Sequence, residues 1–129
     1  MNVLQLDATK SSPHLHFDPH SGRLAIGGES YPENADEFFS PILEWTDEFL
    51  AQSGPPAHLE VTLVYMNTSS TRYMVELLDR LESAHQAGRP VSVSWVVDAE
   101  NARAHDTVEE LKEDFDMPFE VVAGEYPDQ

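Results

Sequence analysis

The hydroxyl residues Thr68, Ser69 and Ser70 stand side by side inside the stretch YMNTSSTRYM, after an apolar run and before a helical pattern. Such a cluster can do three kinds of chemistry. One of its residues, or Asn67 before it, can cap the helix, because Asn, Ser and Thr accept hydrogen bonds from free N–H groups of the first turn. A cap explains one hydroxyl and leaves the others without a task. A hydroxyl can instead act as a nucleophile, but it then needs a positioned base. No G-x-S-x-G elbow is present, and His85 lies a full helix away. Lastly, an exposed hydroxyl can accept a phosphoryl group, which adds roughly −1.5 to −2 charges and three acceptor oxygens at one point. The amino end of a helix suits an anion, and Arg72, one turn beyond Thr68, supplies a further cation.

The elements that must position this cluster are legible from spacing. Residues 14–17 and 23–27 alternate and are joined by the turn-rich Asp18-Pro19-His20-Ser21-Gly22, which predicts a hairpin. Residues 29–32 read as irregular. Asn34, with Glu37 three residues on, predicts a capped helix. Its stripe of Phe38, Phe39, Ile42, Leu43, Trp45, Phe49 and Leu50 predicts burial, and Ser53-Gly54-Pro55-Pro56 ends it. Residues 59–66 form a β-branched and aromatic strand.

After the hydroxyl cluster, Met74, Leu77, Leu78, Leu81 and Ala84 recur at helical spacing until Gly88-Arg89-Pro90. Residues 91–97 alternate strongly, with Val91, Val93, Trp95 and Val97 on one face. A charged helix is expected over 101–115, a last strand over 119–122, and a frayed acidic tail beyond. The resulting order, β-β-α-β-α-β-α-β, predicts an α/β fold of one domain over 1–129, with an ordered core over about 12–122. Its sheet is mixed but mostly parallel, with the helices gathered on the more apolar face.

Composition narrows the function. With 24 acidic and seven basic residues in 129, the formal charge is −17. That surface repels nucleic acid and anionic lipid and favours partners with basic patches. The absence of cysteine excludes thiolate metal sites and disulfides and fits a reducing cytoplasm. The short, mixed Met1–Lys10 segment leads to the expectation of no signal peptide, and no apolar run approaches the roughly 20 residues of a membrane span.

His14, His16, Asp18 and His20 alternate and could form a crude metal site. An exposed edge-strand face explains them more simply. Asp98, Glu100, Glu109, Glu110, Glu113 and Asp114 lack the calcium-loop pattern and read as solvated surface. Trp45 and Trp95 read as core, and His85 as a cation at a helix end. No cofactor motif is present.

The element order and the hydroxyl-rich turn resemble the STAS domains of anti-sigma-factor antagonists, whose D-S-S-G-type turn carries a phosphorylated serine. Here the aspartate and glycine are replaced. A closer resemblance is to the SiaC-type family of biofilm-regulating phosphoproteins. It rests on Gly28-Glu29-Ser30-Tyr31-Pro32-Glu33-Asn34, on Leu63-Val64-Tyr65-Met66-Asn67-Thr68-Ser69-Ser70, and on Ala84-His85-Gln86-Ala87-Gly88-Arg89-Pro90-Val91.

This resemblance implies a STAS-like partner-switching module rather than an enzyme. Thr68 is then phosphorylated by a HATPase-type serine/threonine kinase and cleared by a PP2C-like phosphatase. The unphosphorylated form binds and activates a diguanylate cyclase, raising cyclic di-GMP. It further implies that Asn67, Ser69, Ser70 and Arg72, with Tyr31, Glu33 and Asn34 on a neighbouring loop, face the partners. An antagonist-like STAS module and a small Thr/Ser hydrolase are the alternatives.

Overall fold

The computed structural model describes residues 1–124. Six strands form one sheet whose spatial order matches chain order: β1 (Leu4–Leu6), β2 (His14–Phe17), β3 (Arg23–Ser30), β4 (Ala57–Met66), β5 (Val91–Asp98) and β6 (Phe119–Gly124). The first three pair antiparallel and β3 to β6 pair parallel. Helices α1 (Ala35–Ala51), α2 (Thr68–Gln86) and α3 (Ala102–Lys112) make the three crossovers. Because those crossovers share one hand and step across the sheet in one direction, all three helices fall on the same face.

The alternation of the strands supplies that face. On β4 and β5, Leu59, Val61, Leu63, Val93, Trp95 and Val97 are buried, while the residues between them are half-exposed. Ile42, Phe39, Met74, Leu77 and Leu81 close the core from the helix side. Each such burial contributes on the order of 1.5–3 kcal/mol. The opposite face carries His14, His16, Glu60, Ser92 and Ser94. The predicted mixed, mostly parallel sheet with one polar face is therefore present.

Several boundaries differ from the spacing-based reading, the smallest being β5, which runs one residue further to Asp98, and β6, which runs two further to Gly124. β1 is an added strand, too short to show periodicity. It is held by pairing with β2 and by Trp45, whose Nε1 donates to the Asn2 carbonyl at 3.0 Å. β3 does not stop at Gly27 but continues to Ser30, because a bulge between Gly28 and Glu29, with Gly28 at φ 103°, resets its register against β4. β4 begins two residues early, at Ala57. α3 ends at Lys112, where Asp114 and Phe115 bond three residues back and tighten the chain out of the helix. Most of the acidic tail lies outside the described residues.

The other expected stops and caps are in place. Asn34 Oδ1 accepts from the Glu37 N–H at 3.1 Å. Gly88, at φ 100°, lets the Arg89 N–H return to the Ala84 carbonyl at 3.0 Å and close α2. Asp18 accepts from the His20 N–H at 2.8 Å and organises the β2–β3 turn, which occupies the carboxylate that the metal reading required. No group of residues able to hold a metal occurs among the described residues.

Candidate functional site

The carboxyl ends of β3 and β4 lie side by side, paired as far as Ser30 and Met66. The chain leaves β4 through Asn67, an extended residue (φ −80°, ψ 177°) that anchors the turn in both directions. Its N–H donates to the Ser30 carbonyl at 2.9 Å, and its Oδ1 accepts from the Ser70 N–H at 2.9 Å. Its carbonyl accepts from the Thr71 N–H at 2.9 Å and from Thr71 Oγ1 at 3.0 Å. Asn67 is thus the cap, and the hydroxyls are released from that duty.

Their fates then diverge. Ser70 is fully buried, and its hydroxyl shares a 2.7 Å hydrogen bond with Ser30 Oγ, also fully buried. Ser70, expected among the partner-facing residues, faces inward instead: three residues past the cap, the helix turns it under the sheet edge. Thr68 and Ser69 point to solvent. Neither of their hydroxyls bonds to another described residue, and no histidine stands by as a base. A Ser–His contact does exist elsewhere, between Ser92 Oγ and His58 Nδ1 at 2.6 Å on the polar sheet face. No carboxylate among the described residues hydrogen-bonds to the other side of that ring.

The neighbouring loop reaches the same edge. Tyr31 follows Ser30, and its ring meets Tyr65 edge-on at 6.0 Å. Glu33 and Asn34 are exposed, Asn34 being engaged as the α1 cap. Arg72 is exposed, its guanidinium 5.8 Å from the Tyr73 ring centre. Tyr73 stacks on Phe39 at 5.2 Å and donates to Asp36 Oδ1 at 2.9 Å, clamping the first turns of α1 and α2 together. That bond to the carboxylate, helped by burial, raises the Tyr73 phenol above its ordinary pKa.

With this geometry in place, comparison with known proteins decides the family. The family profile described as SiaC family regulatory phosphoprotein matches residues 6–124. The chain belongs to the SiaC family of regulatory phosphoproteins. An uncharacterized protein of Pseudomonas aeruginosa strain UCBPP-PA14 is 43% identical over 123 residues, spanning 95% of this chain and 98% of its own length. The crystal structure of apo-SiaC from P. aeruginosa superposes with a TM-score of 0.90 at 42% identity, over 95% of this chain and 100% of that one. SiaC in the crystal structure of the diguanylate cyclase SiaD in complex with its activator SiaC, from the same organism, gives 0.90 at 43%, over 94% and 99%.

Two features of this SiaC-family site escape sequence reasoning. Ser30 lies in a segment read as irregular, and only the bulge at Gly28 brings it beside Ser70. Tyr65 continues the buried alternation of Leu59, Val61 and Leu63, yet it is 52% exposed. Among the described residues no helix is long and apolar enough to cross a membrane.

Proposed function

We propose that this protein is the phosphorylatable switch of a partner-switching module that controls a diguanylate cyclase, and that Thr68 is the acceptor. The observation that supports it is the exposure of Thr68 at the first position of α2, in a SiaC-family chain, with its hydroxyl engaged by no other described residue.

The unphosphorylated form binds and activates the cyclase in the cytoplasm and so raises cyclic di-GMP. A HATPase-type kinase presents ATP to the turn. Thr68 Oγ1 attacks the γ-phosphorus, the bond to ADP breaks, and the hydroxyl proton passes to the kinase. A PP2C-like phosphatase returns the hydroxyl by hydrolysis. Asn67 holds the turn and Ser69 shares its exposed surface. Arg72, Tyr31, Glu33 and Asn34 extend that surface to both sides. The chain contributes no turnover of its own: its hydroxyl is substrate for the partners' active sites.

The test is labelling by the cognate kinase followed by phosphopeptide mapping. Thr68→Ala is expected to abolish incorporation and to retain cyclase binding, whereas Thr68→Glu weakens it. Label mapped to Ser69 in the unaltered protein would overturn the assignment.

A further inference from the structure

The ladder between β4 and β5 stops early. It runs from Ala57↔Val91 to Val61↔Trp95, whereas β4 stays paired with β3 as far as Met66 and β5 with β6 as far as Gly124. Each inner strand follows its outer neighbour, so the sheet parts at the edge that carries Thr68. A crevice of about 360 Å³ opens there, lined by Leu63, Trp95 and Val97 within, and by Tyr65, Thr107 and Arg103. Thr71, one turn on from Thr68, also lines it. Val64 and Tyr65 are 47% and 52% exposed, and Val3 is the one other large apolar side chain so open among the described residues.

The charge of this crevice is opposite to that of the chain. Against a formal −17 overall, its lining holds no acid, and Arg103 is its one charged residue among those described. Most other arginines are already engaged: Arg23 by Glu60, Arg80 by Asp47, and Arg89 by the Gln52 and Pro55 carbonyls. Neither Arg72 nor Arg103 takes part in an ion pair among the described residues. Arg103 is the second residue of α3 and Arg72 lies one turn into α2, and the N–H ends of these helices add further positive potential.

We infer that this crevice seats an acidic segment of the partner cyclase through an apolar anchor, and that phosphate on Thr68 ejects it by making the rim negative. This deepens the proposed switch and rests on it. Net charge alone points to a basic partner, and such a partner would be drawn towards a phosphate. An acidic, apolar-anchored segment finds Arg72 and Arg103 outside any ion pair with the described residues when Thr68 is bare, and meets a like charge once it is phosphorylated.

The test titrates the full chain with the purified P. aeruginosa cyclase SiaD by calorimetry, after melting curves show that each variant folds. Tyr65→Ala and Arg103→Glu are expected to weaken binding roughly tenfold or more, Arg103→Lys to retain most of it, and added salt to loosen it. Binding by the unaltered protein that both weakening variants leave within about twofold would overturn the crevice alone. Tighter binding by Arg103→Glu would replace the acidic occupant with a basic one. If the unaltered chain does not bind the cyclase, the proposed function fails and takes this inference with it. Loss of a homodimer in sedimentation by Tyr65→Ala, with cyclase affinity unchanged, would assign the crevice to a second copy and overturn the proposal.

Discussion

At the scale of single residues, the hydroxyl cluster divides its labour by depth. Asn67 caps, Ser70 is buried against Ser30, and Thr68 and Ser69 remain open. The Ser30–Ser70 pair has a measurable signature. Removing one hydroxyl leaves the other buried without a partner, at a cost of about 1–3 kcal/mol, whereas removing both strands neither. In urea unfolding, Ser30→Ala combined with Ser70→Ala is therefore expected to cost clearly less than the sum of the two single changes. Strict additivity would mean that the 2.7 Å contact carries no coupling. Motif reading identified the turn but could not sort its members. Thr68 and Ser70 are chemically near-equivalent, and their difference comes from a strand 40 residues away in sequence.

At the scale of elements, the two ends of α2 are held separately, its start by the Asn67 cap and its far end by a carboxylate stapled to the segment that enters β6. Glu82 on α2 accepts from the Met117 N–H at 3.0 Å and from the Asp116 N–H, tying α2 to the entry of β6. Burial pushes the Glu82 carboxyl up, but the two backbone donors, with smaller help from Gln86 and His85, together hold the group below its ordinary pKa. A depressed carboxylate pKa stabilises the fold above the unfolded-state value, and that contribution is lost as pH falls through the folded-state value. Glu82→Gln is accordingly expected to melt below the unaltered protein at pH 7, with the gap shrinking through the acidic carboxylate range. A gap that is constant from pH 7 down to pH 3 would show that the carboxylate charge is irrelevant to the staple.

The long elements were readable because they repeat their own period: α1 and α2 every three to four residues, β4 and β5 every two. β1 was not, since a three-residue strand has no period and exists through its pairing with β2. Nor was the end of β3, where a glycine bulge interrupts the alternation.

At the scale of the whole molecule, charge is the dominant feature. The side-chain pairs Arg23–Glu60 and Arg80–Asp47 lie at the surface, where each contributes little. Self-repulsion of a chain at −17 outweighs them, and salt screens it. The melting temperature is therefore expected to rise from low salt to roughly 0.15 M sodium chloride, where the screening length is about 8 Å. A fall over that interval would mean that local ion pairs prevail over the global repulsion.

By itself the sequence determined the order of the main elements, the polar and apolar faces of the inner strands, the acidity of the surface and, through three motifs, the family. These are properties of neighbours along the chain or of totals. Only the tertiary structure decided that Ser70 is covered while Thr68 is open, and that β4 and β5 part beside the Asn67 turn. Each of these depends on which distant strands pair and where the pairing ends, and local periodicity carries no record of that.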